Sequence, residues 1–421
     1  MPRSVEVVIT GVGVVAPNGI GREAFWRSLC EQRSGVRHLE LAGVGDFPAV
    51  IGGEIVDFDP KAHIQPRKSL KVMCREIVYG VAAASLAVED AGISDGSVDP
   101  ERFGAVYGAD MMHMAIDELE SPYRVCIEDG KFDFARWGTR AHEEFFPLFM
   151  LKYLPNMPAC HIAIRHDARG PNNSIVLGEV SSLSALAEAA RVIERGDADV
   201  MVAGGTGSRL HPTTLVRSCV SQLSQRHDDP TTASRPFDAD RDGMVNGEGA
   251  AALVIESRAH AERRGAPVFG VMRGYASTFA TGKPTTEAMG GAIERAIALA
   301  IADAGMSGGD IGCVNANGLG TTVDDAIEAR AIRATLGDVP VTAPKSYFGN
   351  LAAGSGAVEA AASIIGLPNR LAPATLNYER PDPACAINVI HGEPARLERP
   401  GVLLLNQAPT GQSVAVLVCA E

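Results

Sequence analysis

"NSIVLGEVSSLSALAEAARVIERG" occupies residues 173–196 and reads as a strand, a sharp turn and a helix. Ile175, Val176 and Leu177 form a short apolar run, which Gly178 breaks. From Leu183 the apolar residues recur at helical spacing, at Leu186, Ala187, Ala190 and Ile193. Just ahead of that helix stands Glu179. A helix N-terminus favours negative charge, so the turn suits an anionic nucleophile, yet it carries a carboxylate.

Outward from this unit, glycine-punctuated apolar strands alternate with Ala-rich helices. "VEVVITGVGVV", "GAVYGAD", "SIVL", "VMVAGG", "AALVIES", "GCVNANG" and "VLLLNQA" read as strands. Residues 69–91, 181–195, 289–303, 323–336 and 356–366 read as helices. The alternation predicts an α/β fold with covered, mixed sheets. It also contains an echo. "AAASLAVEDAGIS" (82–94) precedes "GAVYGAD" (104–110), and "AIALAIADAGMS" (296–307) precedes "GCVNANG" (312–318). The same helix, "DAG" stop and strand thus occur twice, which predicts two duplicated halves with a seam near Ala259 to Val268. We assign residues 1–258 to the N-terminal half and 265–421 to the C-terminal half, together one integrated domain. Residues 111–160 have no second copy and read as an insertion, of the kind that forms a cap or lid.

The 421 residues are 46% hydrophobic and 21% charged, an ordinary soluble composition. No apolar run approaches a membrane span. The N-terminus enters a strand without a signal-peptide layout, so a cytoplasmic protein is expected. The net charge of −13 disfavours a nucleic-acid partner. None of the eight cysteines sits in a CxxC pair, so neither a zinc site nor a disulfide framework is expected.

The chain resembles the β-ketoacyl synthase family from end to end. "VVITGVGVVAPNG" is similar to the family's first strand and turn, and "RGPNNSI" to the strand leading to its nucleophile. "MVAGGTGS" and "ASRPFDADRDGMVNGEGAAALVIES" are the most specific stretches. "VNANGLGTTVDDAIEA" and "PKSYFGNLAAGSGAVEA" resemble the two segments that bring the family's catalytic histidines. The resemblance implies a thiolase-like five-layer αβαβα fold, usually dimeric, that works on acyl groups carried by an acyl carrier protein. It implies no cofactor and no metal.

In that family the turn holds Cys and the two later segments each hold His. Here those positions are Glu179, Asn317 and Asn350. Near the C-terminus the family's "GFGGTN" loop corresponds to "NQAPTGQ" (406–412). Condensation needs a thiolate to accept the acyl chain and imidazoles to stabilise the enolate formed on decarboxylation. Glu179 cannot form a thioester. Asn317 and Asn350 can donate hydrogen bonds but cannot carry charge. Ordinary decarboxylative condensation is therefore not expected from this chain alone.

Three readings follow. The first is a non-condensing subunit resembling chain-length factors, which lack the Cys and act by pairing with an active, Cys-containing ketosynthase in fatty-acid or polyketide biosynthesis. The chain could equally pair with itself. The second is an enzyme that uses Glu179 as general base or acid in hydrolysis, dehydration or decarboxylation. The third is an acyl or carrier-protein binding module.

The resemblance also places Lys345, Glu359, Asp325 and Glu328 beside the active site, where a structural ion-pair network is the expected role. "QPRKSLKVMCR" (65–75) is locally basic, through Arg67, Lys68, Lys71 and Arg75, and lies where the family docks its acidic carrier protein. Cys219 reads as structural. We expect Glu179 to cap its helix by accepting backbone N–H groups, with Asn317 and Asn350 converging on it as amide donors, so that the carboxylate fills the place of an acyl thioester.

Overall fold

The computed structural model describes residues 5–39, 51–217, 222–282 and 285–421; Cys219 lies outside the described residues. Ten strands carry the architecture. The first five are β1 (Val7–Ala16), β2 (Phe103–Gly108), β3 (Asn172–Ile175), β4 (Val200–Ser208) and β5 (Glu248–Ser257). The second five are β6 (Gly270–Phe279), β7 (Ile311–Asn315), β8 (Pro340–Thr342), β9 (Gly401–Gln407) and β10 (Gln412–Cys419).

The two sets have one topology. The first runs β3-β2-β4-β5-β1 and the second β8-β7-β9-β10-β6. In each, the first two junctions are parallel and the next two antiparallel. Antiparallel pairing of Val7–Ile9 with residues 270–272 joins β1 to β6 and makes one continuous sheet of both halves. The echo read in the sequence is thus a duplicated fold.

Helices complete five layers. Helix α1 (Arg75–Asp90) and a helix at Met157–His166 cover the outer face of the first sheet. Helix α2 (Ser181–Glu194) and, further along the chain, α5 (Ser355–Ile364) form the central layer. Between them in sequence, α3 (Thr286–Asp303) and α4 (Thr322–Leu336) cover the second sheet. Three large apolar cores hold the layers together, the central one touching the strands of both halves. In the central core Leu183 and Leu186 of α2 are fully buried, and Leu183→Ala would cost about 2–5 kcal/mol through lost contacts and a cavity.

Local geometry departs from the sequence reading at two places. Strand β3 ends at Ile175, and Val176 and Leu177 lie exposed. Strand β3 is a sheet edge, so no neighbour draws those two residues into a ladder. The helix expected over 69–91 divides into a 3₁₀ segment, Arg67–Val72, and α1. Residues 111–160 contain only short helices and a two-residue hairpin before the helix at Met157. The cysteines at 74, 126, 313, 385 and 419 are buried and unbridged. Among the described residues, no helix is long and apolar enough to cross a membrane.

Candidate functional site

The turn after β3 works because Gly178 adopts φ 62°, a left-handed conformation that costs a glycine little. Glu179 follows in a single 3₁₀ turn, Gly178–Val180, ahead of α2. Strand β4 approaches this turn closely. At Gly205 a Cβ would lie 2.6 Å from Ser182 Cβ and 2.7 Å from the Ala353 carbonyl oxygen. Only glycine therefore lets β4 pack against both the start of α2 and the segment after Asn350. That packing gathers the three positions singled out above: Glu179, Asn317 and Asn350 all line one cavity of about 330 Å³.

The detailed contacts differ from the expectation. Glu179 does not cap α2. No side chain caps it; Ser181 instead ties the preceding turn, its hydroxyl accepting from Leu177 N at 2.8 Å and donating to the Gly178 carbonyl at 2.6 Å. The buried Glu179 carboxylate instead accepts from Arg209 Nη1 at 2.9 Å, its one hydrogen-bond partner among the described residues. A buried carboxylate needs a cation more than it needs a helix dipole, and Arg209, just beyond β4, supplies it. Arg209 Nε donates in turn to Asn246 Oδ1 at 3.0 Å.

The two asparagines do not donate to Glu179. Asn350 Oδ1 accepts from Ala352 N at 3.0 Å and from the Ser355 hydroxyl at 3.2 Å, so the side chain fixes the turn into α5. Asn317 Oδ1 accepts from Asn406 Nδ2 at 3.3 Å. Arg209 is the residue that sequence reasoning missed. The available signal was chemical: a buried Glu without His beside it requires a cation, and Arg209 is the first after "MVAGGTGS".

Behind the cavity lies a buried polar network. Lys345 donates to Glu359, both within α5 and the segment before it, and both nearly inaccessible. Asn406 Nδ2 also reaches Glu359, at 2.7 Å. The Glu328 carboxylate accepts from the backbone N–H groups of Asn317 and Gly318, each at 2.8 Å, and from Gln407 Nε2 at 2.8 Å. Burial pushes its pKa up to about 7 against the pull of those donors. Asp325 accepts from Phe237 N and Gly320 N, with Arg241 3.6 Å away, and burial raises its pKa to about 6. Glu328 thereby ties the segment that carries Asn317 to Gln407 at the end of β9.

Of the basic segment, Arg67, Lys68 and Lys71 are exposed on the 3₁₀ turn. Arg75 differs. Its guanidinium donates to Glu248 and, at 2.6 Å, to the Tyr79 hydroxyl, and lies 3.6 Å from Glu54. Arg75 opens α1, where an unpaired cation would oppose the helix dipole; the buried Glu248 cancels that charge.

No thiol or imidazole lines the cavity among the described residues. Its polar wall offers Glu179, Arg209, Asp324 and four side-chain amides, and its apolar wall Met244, Met289, Leu319 and Ile327. Among the described residues no cluster of three or more His, Cys, Asp or Glu could hold a metal ion. The arrangement offers side-chain amides that can polarise a carbonyl and one ion-paired carboxylate.

Residues 4–261 match the β-ketoacyl synthase N-terminal domain and residues 269–379 the C-terminal domain. The chain is 35% identical to the tetracenomycin polyketide synthase ketoacyl synthase alpha subunit of Streptomyces glaucescens, over 99% of this chain and 98% of that one. Its structure is similar to that of the ishigamide ketosynthase/chain length factor, with TM-score 0.85 and 26% identity over 99% of each chain. It is similar also to a type II polyketide synthase ketosynthase in complex with its acyl-carrier protein (TM-score 0.80, 27% identity, 99% of each chain). The chain belongs to the β-ketoacyl synthase family.

Proposed function

We propose that this protein is a non-condensing β-ketoacyl synthase homologue that acts as a chain-length-factor-like subunit. It pairs with a Cys-containing synthase in polyketide or fatty-acid assembly and shapes the space that receives the acyl chain. The observation that carries this reading is the Glu179–Arg209 ion pair at the nucleophile turn, in a cavity that Asn317 and Asn350 line. An ion pair there occupies the position at which the family forms its thioester, and amides replace the proton-transferring imidazoles. The likeness to a ketosynthase/chain length factor supports the pairing role.

The partner face in this reading is the β3 edge. The strand is the end of its sheet, so its outer side has no neighbouring strand, a liability that a dimer removes. Exposed Val176, Leu177 and Met111 beside it, and Phe134 and Met150 in the 111–160 insertion, supply apolar area. The carrier protein docks on Arg67, Lys68 and Lys71; the complex of a related ketosynthase with its acyl-carrier protein supports a carrier as partner. Lys345, Glu359, Asp325 and Glu328 act as scaffold for the cavity.

A second reading has one observation behind it: the Glu179 carboxylate lines the cavity rather than being consumed by backbone donors. It could then take a proton from a bound acyl substrate. Co-purification from the native host separates the two. A Cys-containing synthase in stoichiometric amount supports the subunit reading. Turnover by the isolated chain that vanishes in Glu179→Gln supports the second.

A further inference from the structure

Two amides in the cavity of about 330 Å³ have their direction fixed by their surroundings. Ala352 N can only donate, so the Asn350 atom 3.0 Å from it is the oxygen. The Asn350 NH₂ is turned the other way, where its one partner among the described residues is the weakly accepting Met244 sulfur, at 3.9 Å. Asn317 is set by a relay. The Asn406 group that meets Glu359 Oε2 at 2.7 Å and the Leu405 carbonyl at 3.0 Å faces two acceptors and is its NH₂. That NH₂ also meets Asn317, at 3.3 Å, so the Asn317 atom there is the oxygen. The Asn317 NH₂ then has no partner among the described residues, although the residue is only 4% exposed.

Glu179 supplies the opposite polarity. Its Oε1 accepts from Arg209, and its Oε2 has no hydrogen-bond partner among the described residues. A short chain of contacts links it to Asn350: Asn350 forms a backbone bridge with Asn246, Asn246 Oδ1 holds Arg209, and Arg209 holds Glu179. One cavity thus presents two amide donors short of oxygen partners beside one acceptor whose charge is already balanced. A buried donor left unpaired costs about 1–3 kcal/mol, a cost that a complementary ligand removes.

We propose that this cavity selects a short acyl thioester that carries a hydroxyl group. The ligand's carbonyl oxygen accepts from Asn317 and Asn350, and its hydroxyl donates to Glu179 Oε2. This rests on the reading that an acyl group meets the Glu179 cavity. A neutral donor fits Glu179 better than an ammonium group does, because Arg209 already balances that carboxylate. Asp324, the other carboxylate on the wall, is tied to Thr321 at the start of α4. The volume is at the low end for a ligand site and suits a short chain.

Binding of butyryl-pantetheine and β-hydroxybutyryl-pantetheine to the full chain, measured by calorimetry, tests this. The hydroxylated ligand should bind about tenfold more tightly, the lower end of what a hydrogen bond to a charged group contributes. Glu179→Gln keeps an oxygen for Arg209 and offers the ligand an NH₂ instead, so the preference should fall to within about twofold. Asn317→Ala leaves Asn406 with Glu359 and the Leu405 carbonyl as acceptors, so no buried donor is orphaned. It should weaken both ligands alike by about fivefold and keep the preference. Equal binding of the two ligands by the unaltered chain would overturn the proposal, as would a preference that survives Glu179→Gln. So would tighter binding of β-aminobutyryl-pantetheine than of the hydroxylated ligand, or binding of none of them. Each of these outcomes leaves the non-condensing reading intact, since that reading is decided by elongation assays with a partner.

Discussion

Arg209 Nη1 lies 2.9 Å from Glu179 Oε1, across the turn where the family places its nucleophile. The pair is largely withdrawn from solvent, at 20% and 12% side-chain exposure. Removing one member leaves a buried charge without its partner, which costs more than the pair is worth. We expect Arg209→Met to destabilise by about 3 kcal/mol. Glu179→Gln/Arg209→Met should recover part of it, with a coupling of about 0.5–3 kcal/mol. Urea midpoints of the four proteins measure this, and strict additivity would mean that the pair carries no interaction.

The Lys345–Glu359 pair is more deeply buried, and Asn406 completes it. Lys345→Met should cost about 3–5 kcal/mol, whereas Lys345→Met/Glu359→Leu should recover much of that loss. Thermal unfolding of the two variants gives the comparison. A double variant no more stable than the single would contradict this, since the unpaired buried carboxylate would then not be the source of the loss.

Glu328 and Glu248 should contribute stability that falls as pH rises from about 4.3 to about 7. Burial raises Glu328 to about 7 and Glu248 to about 7, above their ordinary carboxylate values. The folded state therefore holds protons that the unfolded state has released. That contribution is fully present below about pH 4.3 and is lost as pH climbs through about 7. Glu328→Gln should flatten the profile across that window. An unchanged slope in denaturation at several pH values would remove Glu328 as a source.

Much of this architecture was legible in the sequence, because glycine stops and apolar periodicity mark elements locally. The repeated "DAG" unit led to two sets of strands with one topology. The convergence of Glu179, Asn317 and Asn350 came from the family resemblance. Side-chain pairing was not legible. Whether Arg75 faces a carrier or Glu248, and whether Glu179 takes a helix N-terminus or Arg209, depends on long-range packing that local spacing does not encode. The turn ahead of the helix is closed by Ser181, whose hydroxyl reaches both Leu177 N and the Gly178 carbonyl.

Docking of the carrier should depend on Arg67, Lys68 and Lys71 and be independent of Arg75. Reversing the three charges to Glu should weaken carrier-protein binding, and added salt should weaken the unaltered contact. Surface plasmon resonance at two salt concentrations reads both effects. Unchanged affinity in the triple variant would move the docking face elsewhere.

The subunit reading expects a dimer through β3. Light scattering at micromolar concentration should give twice the mass of the chain alone, or the summed mass with a co-expressed synthase. Ser174→Pro should reduce it by removing an outward N–H, which in the single chain donates to Asn173 Oδ1 and which a partner strand would take over. A monomer with and without the synthase would rule out the β3 face.

Intact-protein mass spectrometry of the isolated chain, incubated with acyl and malonyl carrier proteins, tests the non-condensing role most directly. The account predicts no acyl adduct on the chain and no elongated product, because Glu179 holds Arg209 where a thiol would hold the acyl group. A stoichiometric acyl adduct at Glu179, or a primer lengthened by this chain alone, would contradict it.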